Sequence, residues 1–173
     1  MRVWVKWGAL MGMAASASAA QAQVSSTCIT HDEARALFAY AIPQAIEGVA
    51  GACKASLPAT AFLPSQSAAM VARLKSAGSA NWGSAKAAFL KMGGKDGART
   101  LATMPDSALE PFVAAAFSSV VTQGVKPKDC GKIDRFVAAL APLPPGHAAE
   151  LITSLIALVG GSDDKMPLCP ETM

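Results

Sequence analysis

Apolar residues recur with helical spacing from residue 30 onward, while the alternation typical of a half-buried strand is missing. Thr30 and Glu33 form a capping box, which predicts that the first helix begins there and ends between Gly51 and Lys54. Pro43 lies inside this helix and predicts a kink or a break, because proline lacks the N–H and its ring clashes with the carbonyl four residues back. The pattern predicts an all-α fold.

Glycines and prolines divide the rest of the chain into further short helices. Ser65 or Ser67 is expected to cap the second helix, and Gly78 to end it. Ser107 and Glu110 form another candidate capping box, which predicts the start of a strongly amphipathic helix. These signals divide the chain into six or seven helices joined by short links.

The last helix is expected to begin at Pro145 and to end at Gly160, ahead of a polar tail that carries Cys169. Its apolar residues cover more than half of the helix circumference, so we expect it to be the most buried helix. Short helices with such short connections predict a compact single domain of bundle or orthogonal type.

The first 22 residues have the pattern of a secretory signal peptide. A short basic start is followed by an apolar stretch, and Ala20-Gln21-Ala22 is a suitable cleavage site. Cleavage there predicts a mature domain of residues 23–173 in a periplasmic or secreted location. No later apolar run reaches about 18 residues, so we expect no transmembrane helix after cleavage.

All four cysteines follow the predicted cleavage site, which predicts two disulfides in an oxidising compartment. A straight first helix would be about 30 Å long, so Cys28 and Cys53 would lie too far apart to pair. We therefore favour Cys53 with Cys130 and Cys28 with Cys169. A chain reversal at Pro43 would instead allow Cys28 to pair with Cys53.

The charge of the chain argues against nucleic-acid binding. The net charge of +3 falls to +1 when Arg2 and Lys6 leave with the signal peptide. Basic residues nevertheless predominate in one segment, opposed only by Asp96: Arg73, Lys75, Lys86, Lys91, Lys95 and Arg99. This basic segment is either the solvated side of several helices or a contact patch for an anionic partner.

No combination of residues in the sequence points to catalysis, a cofactor or a metal. His31 and His147 are the only histidines, and His147 shares a helical face with Glu150 alone, which falls short of the three or four ligands of a zinc site. Neither Gly-x-Ser-x-Gly nor Cys-x-x-Cys occurs. We therefore expect a protein that is not an enzyme and holds no cofactor.

Two functions fit these observations. The first is an exported, non-enzymatic helical protein that binds another envelope component, either a protein or an anionic surface, with the basic segment as its contact. The alternative is a carrier of a small apolar ligand or lipid in a cavity between helices. Four phenylalanines are candidates to line that cavity, or else simply to fill the core: Phe89, Phe112, Phe117 and Phe136.

Overall fold

The computed structural model describes residues 28–160, 166, 168 and 169, so the predicted signal peptide and most of the tail lie outside it. Within these residues the chain forms seven α-helices: α1 (His31–Cys53), α2 (Phe62–Gly78), α3 (Trp82–Met92), α4 (Gly94–Ala102), α5 (Asp106–Gly124), α6 (Cys130–Leu140) and α7 (Pro145–Gly160). The 3-10 turns Ser79–Asn81 and Pro127–Asp129 precede α3 and α6. An isolated parallel β-bridge joins Ile29 to Leu168. The prediction of an all-α fold is confirmed.

Helix α1 is the central element, and α2, α3, α5 and α7 all pack against it. Its predicted capping box is present, since the N–H of Glu33 donates to Thr30 Oγ1 (3.2 Å) and the N–H of Thr30 donates to Glu33 Oε2 (2.8 Å). The helix ends at Cys53, as the sequence predicted. Twelve of its 23 residues are buried.

Two hydrophobic clusters lie along α1. One joins its C-terminal half to α2 and α6 and includes Ile46, Leu63, Leu74, Val137 and Leu140. The other joins its N-terminal half to α3 and α5 and includes Leu37, Ala85, Ala88, Leu109 and Val113. Because α1 contributes to both clusters, it couples the two halves of the core.

Among the described helices, only α1 is by itself long and apolar enough to cross a membrane. Helix α5 and residues 127–140 meet the same criterion only together, as a pair bent by 92°. In α1, 56% of the most apolar window is buried inside the fold. That degree of burial is typical of a central core helix.

Pro43 does not break α1, contrary to one of the two outcomes that the sequence allowed. Because proline has no N–H, the carbonyl of Ala39 lacks its usual helical donor. Gly78, at the end of α2, packs against this carbonyl so closely that an added Cβ would lie 2.9 Å from Ala39 O. The gap that Pro43 leaves in the hydrogen bonding of α1 is thus covered by the backbone of α2.

The predicted serine cap of α2 is wrong. The helix begins at Phe62, and the hydroxyls of Ser65 and Ser67 donate to carbonyls four residues back. An acceptor for the helix start comes from another element, because Asp134 Oδ1 in α6 accepts a hydrogen bond from the N–H of Leu63 (2.7 Å). The cap of α2 is therefore a tertiary contact, which local sequence cannot reveal.

The capping box predicted at Ser107 and Glu110 does not form either. Helix α5 begins two residues earlier than this box requires, at Asp106, with Pro105 in extended conformation as the N-cap and no side-chain hydrogen bond. The carboxylate of Asp106 instead forms an ion pair with Lys86 Nζ (2.5 Å). The contact joins the start of α5 to α3, while no side chain caps the helix.

The expectation that α7 is the most buried helix is wrong, since α1 has that role. The buried residues of α7 include Ala148 and Ala149, while its larger side chains Leu151, Leu155 and Leu158 are 43%, 44% and 81% exposed. Small residues let α7 approach α1 closely, and the leucines at i, i+4 and i+7 then lie on the outer side.

The favoured cysteine pairing is confirmed. Cys28 pairs with Cys169 across a Cα–Cα distance of 4.9 Å, and Cys53 pairs with Cys130 across 5.5 Å. Because α1 runs unbroken between them, Cys28 and Cys53 stay at opposite ends of the helix. The first disulfide attaches the tail beside Ile29, whose carbonyl accepts a hydrogen bond from the N–H of Cys169 (2.9 Å).

Candidate binding surface

Lys91, from the basic segment, is a buried structural residue. Its Nζ donates to both carboxylate oxygens of Glu33 (2.8 and 2.6 Å) and to the carbonyl of Cys28 (2.9 Å). The side chains of Lys91 and Glu33 are only 10% and 7% exposed. Lys91 therefore joins α3 to the start of α1 and lies too deep to contact a partner.

Two more cations of the basic segment are engaged by carboxylates. Lys75 Nζ lies 2.7 Å from Glu47, and Lys86 Nζ lies 2.5 Å from Asp106. The hydrogen bond from Lys86 is the main cause that holds the pKa of Asp106 below its ordinary value. These pairs partly neutralise the segment at the surface.

The remaining members of the basic segment differ from one another. Arg73 is exposed but donates a hydrogen bond to the carbonyl of Ala141, next to the end of α6. Arg99 is exposed, with no ion pair to any described carboxylate. The side chain of Lys95 lies outside the described part of the structure. The segment's role as a contact patch stays a prediction, with four of its six cations engaged inside the fold.

A different set of cations lies close to Cys53 and Cys130 along the chain. These residues are all exposed, and together with one aromatic residue they form what we call the α6 surface: Lys54, Lys126, Lys128, Lys132, Arg135 and Phe136. None of the five cations has a carboxylate within ion-pair distance among the described residues. Phe136 is 55% exposed. The α6 surface thus combines free positive charge with an exposed aromatic ring.

Helix α6 presents this surface because it is amphipathic. Cys130, Val137 and Leu140 are buried against the first hydrophobic cluster. Lys132 and Phe136 are four residues apart, so they are neighbours on the opposite side of the helix. The nearby acidic residues are drawn inward, since Asp134 is half-buried and accepts a hydrogen bond from the N–H of Leu63.

The α6 surface was not predicted from the sequence, although part of its signal is present there. Residues 126–135 contain four basic and two acidic residues, so the charge of this stretch appeared mixed. What the sequence did not reveal is that Asp134 caps α2, 71 residues away in the chain. The proximity of Lys54 was likewise hidden, because it follows from the Cys53–Cys130 disulfide.

The four phenylalanines of the carrier hypothesis do not line one shared cavity. Phe112 and Phe136 are 49% and 55% exposed, on α5 and α6. Phe89 and Phe117 contact each other with ring centroids 6.2 Å apart, and both pack against the second hydrophobic cluster. These two rings act as core residues in the part of the chain that the structure describes.

A groove of about 160 Å³ lies between α1, α2 and α5, beside the Gly78 contact. Tyr40 and Glu110 line it, and the Tyr40 hydroxyl donates to the Glu110 carbonyl (3.0 Å). Burial, reinforced by the charge of Glu110, raises the pKa of Tyr40 to about 12. The groove is small compared with the roughly 300–1,000 Å³ of typical ligand pockets.

The two histidines differ in their surroundings. His31 Nε2 lies 2.9 Å from Glu150 Oε1, and Arg35 Nε lies 3.7 Å from the other oxygen of the same carboxylate. His147 is exposed. Glu150, which the sequence placed on the same helical face as His147, joins α7 to α1 through His31 and Arg35. Within the described ranges, no three His, Cys, Asp or Glu side chains are grouped so that they could hold a metal ion.

Comparison with known proteins adds no relative: no protein-family model, curated protein or solved structure matches the chain.

Proposed function

We propose that this is an exported, non-enzymatic binding domain that attaches to an anionic component of the cell envelope through the α6 surface. The observation that carries the proposal is the set of five exposed cations without an acidic partner among the described residues. Exposed charges of one sign raise the local concentration of oppositely charged partners. Export is supported by the signal-like N-terminus and by the two disulfides.

The rigidity of the surface favours binding. Cys130 opens α6 and is covalently attached to the end of α1, while Asp134 bonds the same helix to the start of α2. A preformed surface loses little conformational entropy when a partner binds. The α6 surface therefore supports attachment better than the basic segment, where Lys91 is buried and two other cations are paired with carboxylates.

The proposal is tested by sedimentation of the oxidised protein with envelope fractions of its own host. The variant Lys128→Glu/Lys132→Glu reverses two charges of the α6 surface, and the matched control Lys75→Glu/Arg99→Glu reverses two exposed charges of the basic segment. Both variants have the same net charge. We expect the first variant to lose most of the bound fraction and the control to bind like the wild type. Equal binding by both variants would show that the α6 surface is not the contact.

Salt gives a second measurement on the same samples. Attraction between exposed charges is screened over about 10 Å at 0.1 M ionic strength and about 3 Å at 1 M. We expect the wild type to leave the envelope fraction as the salt concentration rises. Attachment that is unchanged in 1 M salt would contradict a contact made by exposed cations.

A further inference from the structure

We infer that the anionic component is a phospholipid bilayer, with Phe136 inserting at the boundary between headgroups and acyl chains. This inference rests on the proposed attachment through the α6 surface. Its specific evidence is the position of a 55% exposed aromatic ring among free cations on one helix.

Helix α6 shares two features with a helix lying in a membrane interface, an exposed aromatic ring and neighbouring basic residues, while its main apolar side packs into the core. Such a helix has basic residues at the headgroup level and large apolar residues a few ångströms deeper. Phe136 follows Lys132 by four residues, so the two side chains are neighbours on the helix, and Arg135 lies about 100° further around it. Long basic side chains can extend toward phosphates while their aliphatic stems stay near the apolar layer.

A soluble anionic polymer accounts for only part of this surface. The cations would bind its charges, but Phe136 would stay in water and contribute nothing comparable. A bilayer uses both features, because burial of one phenylalanine side chain in an apolar environment adds to the electrostatic attraction. Helix α6 is also already folded and anchored at Cys130, so insertion does not require a helix to form.

The other three cations, Lys54, Lys126 and Lys128, lie close to the start of α6 along the chain or through the disulfide. Lys54 directly follows Cys53, and Lys126 and Lys128 lie on either side of Pro127 just before α6. Each cation near an anionic bilayer contributes a factor of about 5 to binding at low salt. Five such cations are enough for a reversible, salt-sensitive attachment.

The test compares the oxidised protein on three probes: vesicles of phosphatidylcholine with phosphatidylglycerol, vesicles of phosphatidylcholine alone, and soluble polyglutamate. The diagnostic variant is Phe136→Ala, and its matched control is Phe112→Ala, which removes a similarly exposed ring (49%) from α5. We expect Phe136→Ala to weaken binding to the anionic vesicles roughly tenfold or more, given the affinity gained by burying an aromatic ring. Binding to polyglutamate and the behaviour of the control should not change.

The outcomes separate this inference from the proposed function. If Phe136→Ala binds anionic vesicles like the wild type while Lys128→Glu/Lys132→Glu loses binding, the bilayer inference fails and the anionic contact stands. If the charge reversals also have no effect on any probe, the proposed function fails too. Binding that is stronger to polyglutamate than to anionic vesicles would likewise overturn the bilayer as the partner. Blue-shifted emission from a Phe136→Trp variant on anionic vesicles would report insertion directly.

Discussion

Among the described glycines, Gly78 is the one at which an added Cβ would meet the closest neighbour. A Cβ at this position would lie 2.9 Å from the carbonyl oxygen of Ala39, a backbone atom that cannot rotate away. We expect Gly78→Ala to lower the free energy of unfolding by about 1–3 kcal/mol, the usual cost of overpacking. Denaturation in urea measures the change.

The control for this prediction is Gly83→Ala in α3, where an added Cβ meets nothing within 4 Å. Alanine is the better helix former, so this variant should gain about 0.5–1 kcal/mol. A Gly78→Ala protein as stable as the Gly83→Ala protein would contradict the close contact between α2 and the gap left by Pro43.

The buried pair of Lys91 and Glu33 leads to a second prediction at the same scale. Lys91→Met would leave the carboxylate of Glu33 buried without its ammonium partner. Loss of one member of a buried pair costs about 3–5 kcal/mol. We expect Lys91→Met/Glu33→Gln to recover most of this loss, because the charge is gone and glutamine can still complete the capping box with Thr30.

Urea denaturation of the two variants and the wild type measures these changes in the free energy of unfolding. A double variant as unstable as Lys91→Met would mean that packing around the lysine, and not its charge, dominates. Either result keeps Lys91 within the core of the fold. A variant that removes the exposed charges of the basic segment should therefore retain Lys91.

At the scale of the helices, local signals predicted what local contacts decide. The capping box at Thr30 and the start at Pro145 depend on neighbours within one helical turn. The cap at Ser65 failed because the start of α2 takes its acceptor from α6, which spacing along the sequence cannot show. The cap at Ser107 failed because α5 begins earlier, with no side-chain cap.

The candidate surface was harder to predict than the fold for the same reason. Whether a lysine is free depends on distant partners: Lys91 meets Glu33 across 58 residues, and Lys54 lies near α6 only because of a disulfide. The outward leucines of α7 were also hidden, since an apolar helix gives no sequence signal for which side meets its neighbour.

The tertiary cap of α2 gives a prediction for a pair of helices. Asp134→Ala removes the carboxylate that accepts from the N–H of Leu63, so we expect a loss of about 1 kcal/mol, as for other N-terminal caps. Asp129→Ala is the control, because Asp129 is the N-cap residue of α6 yet makes no side-chain capping hydrogen bond. The two substitutions change the net charge equally, and thermal unfolding compares them. Equal losses would argue against a specific cap by Asp134.

At the scale of the whole molecule, α1 is an axis with one disulfide at each end. The Cys53–Cys130 bond joins it to α6 inside the first hydrophobic cluster, and the Cys28–Cys169 bond joins its N-terminal side to the tail. The inner disulfide therefore holds the α6 surface in place, while the outer one closes the second cluster, against which Leu168 packs. Binding through the α6 surface should depend on the Cys53–Cys130 bond and should tolerate loss of the Cys28–Cys169 bond.

The two disulfides should differ in how readily a reductant reaches them. The sequence separations of 77 and 141 residues give similar stabilisation, roughly 4.5–5 kcal/mol each in the chain-entropy account, so loop size does not distinguish them. Burial distinguishes the two disulfides, because Cys53 and Cys130 are 0% and 1% exposed whereas Cys28 and Cys169 are half-buried.

We therefore expect the oxidised protein to show no alkylation after unfolding without reductant, since the described residues include no free cysteine. Brief treatment of the folded protein with a mild dithiol, followed by alkylation and peptide mapping, should label Cys28 and Cys169 first. Cys53 and Cys130 should react only when denaturant opens the core.

The Cys28→Ser/Cys169→Ser variant is the control, because it should stay unlabelled under the same mild treatment. Early labelling of Cys53 in either protein would mean that the first hydrophobic cluster opens more easily than the tail detaches, and that α6 is not the firmly held surface that attachment requires.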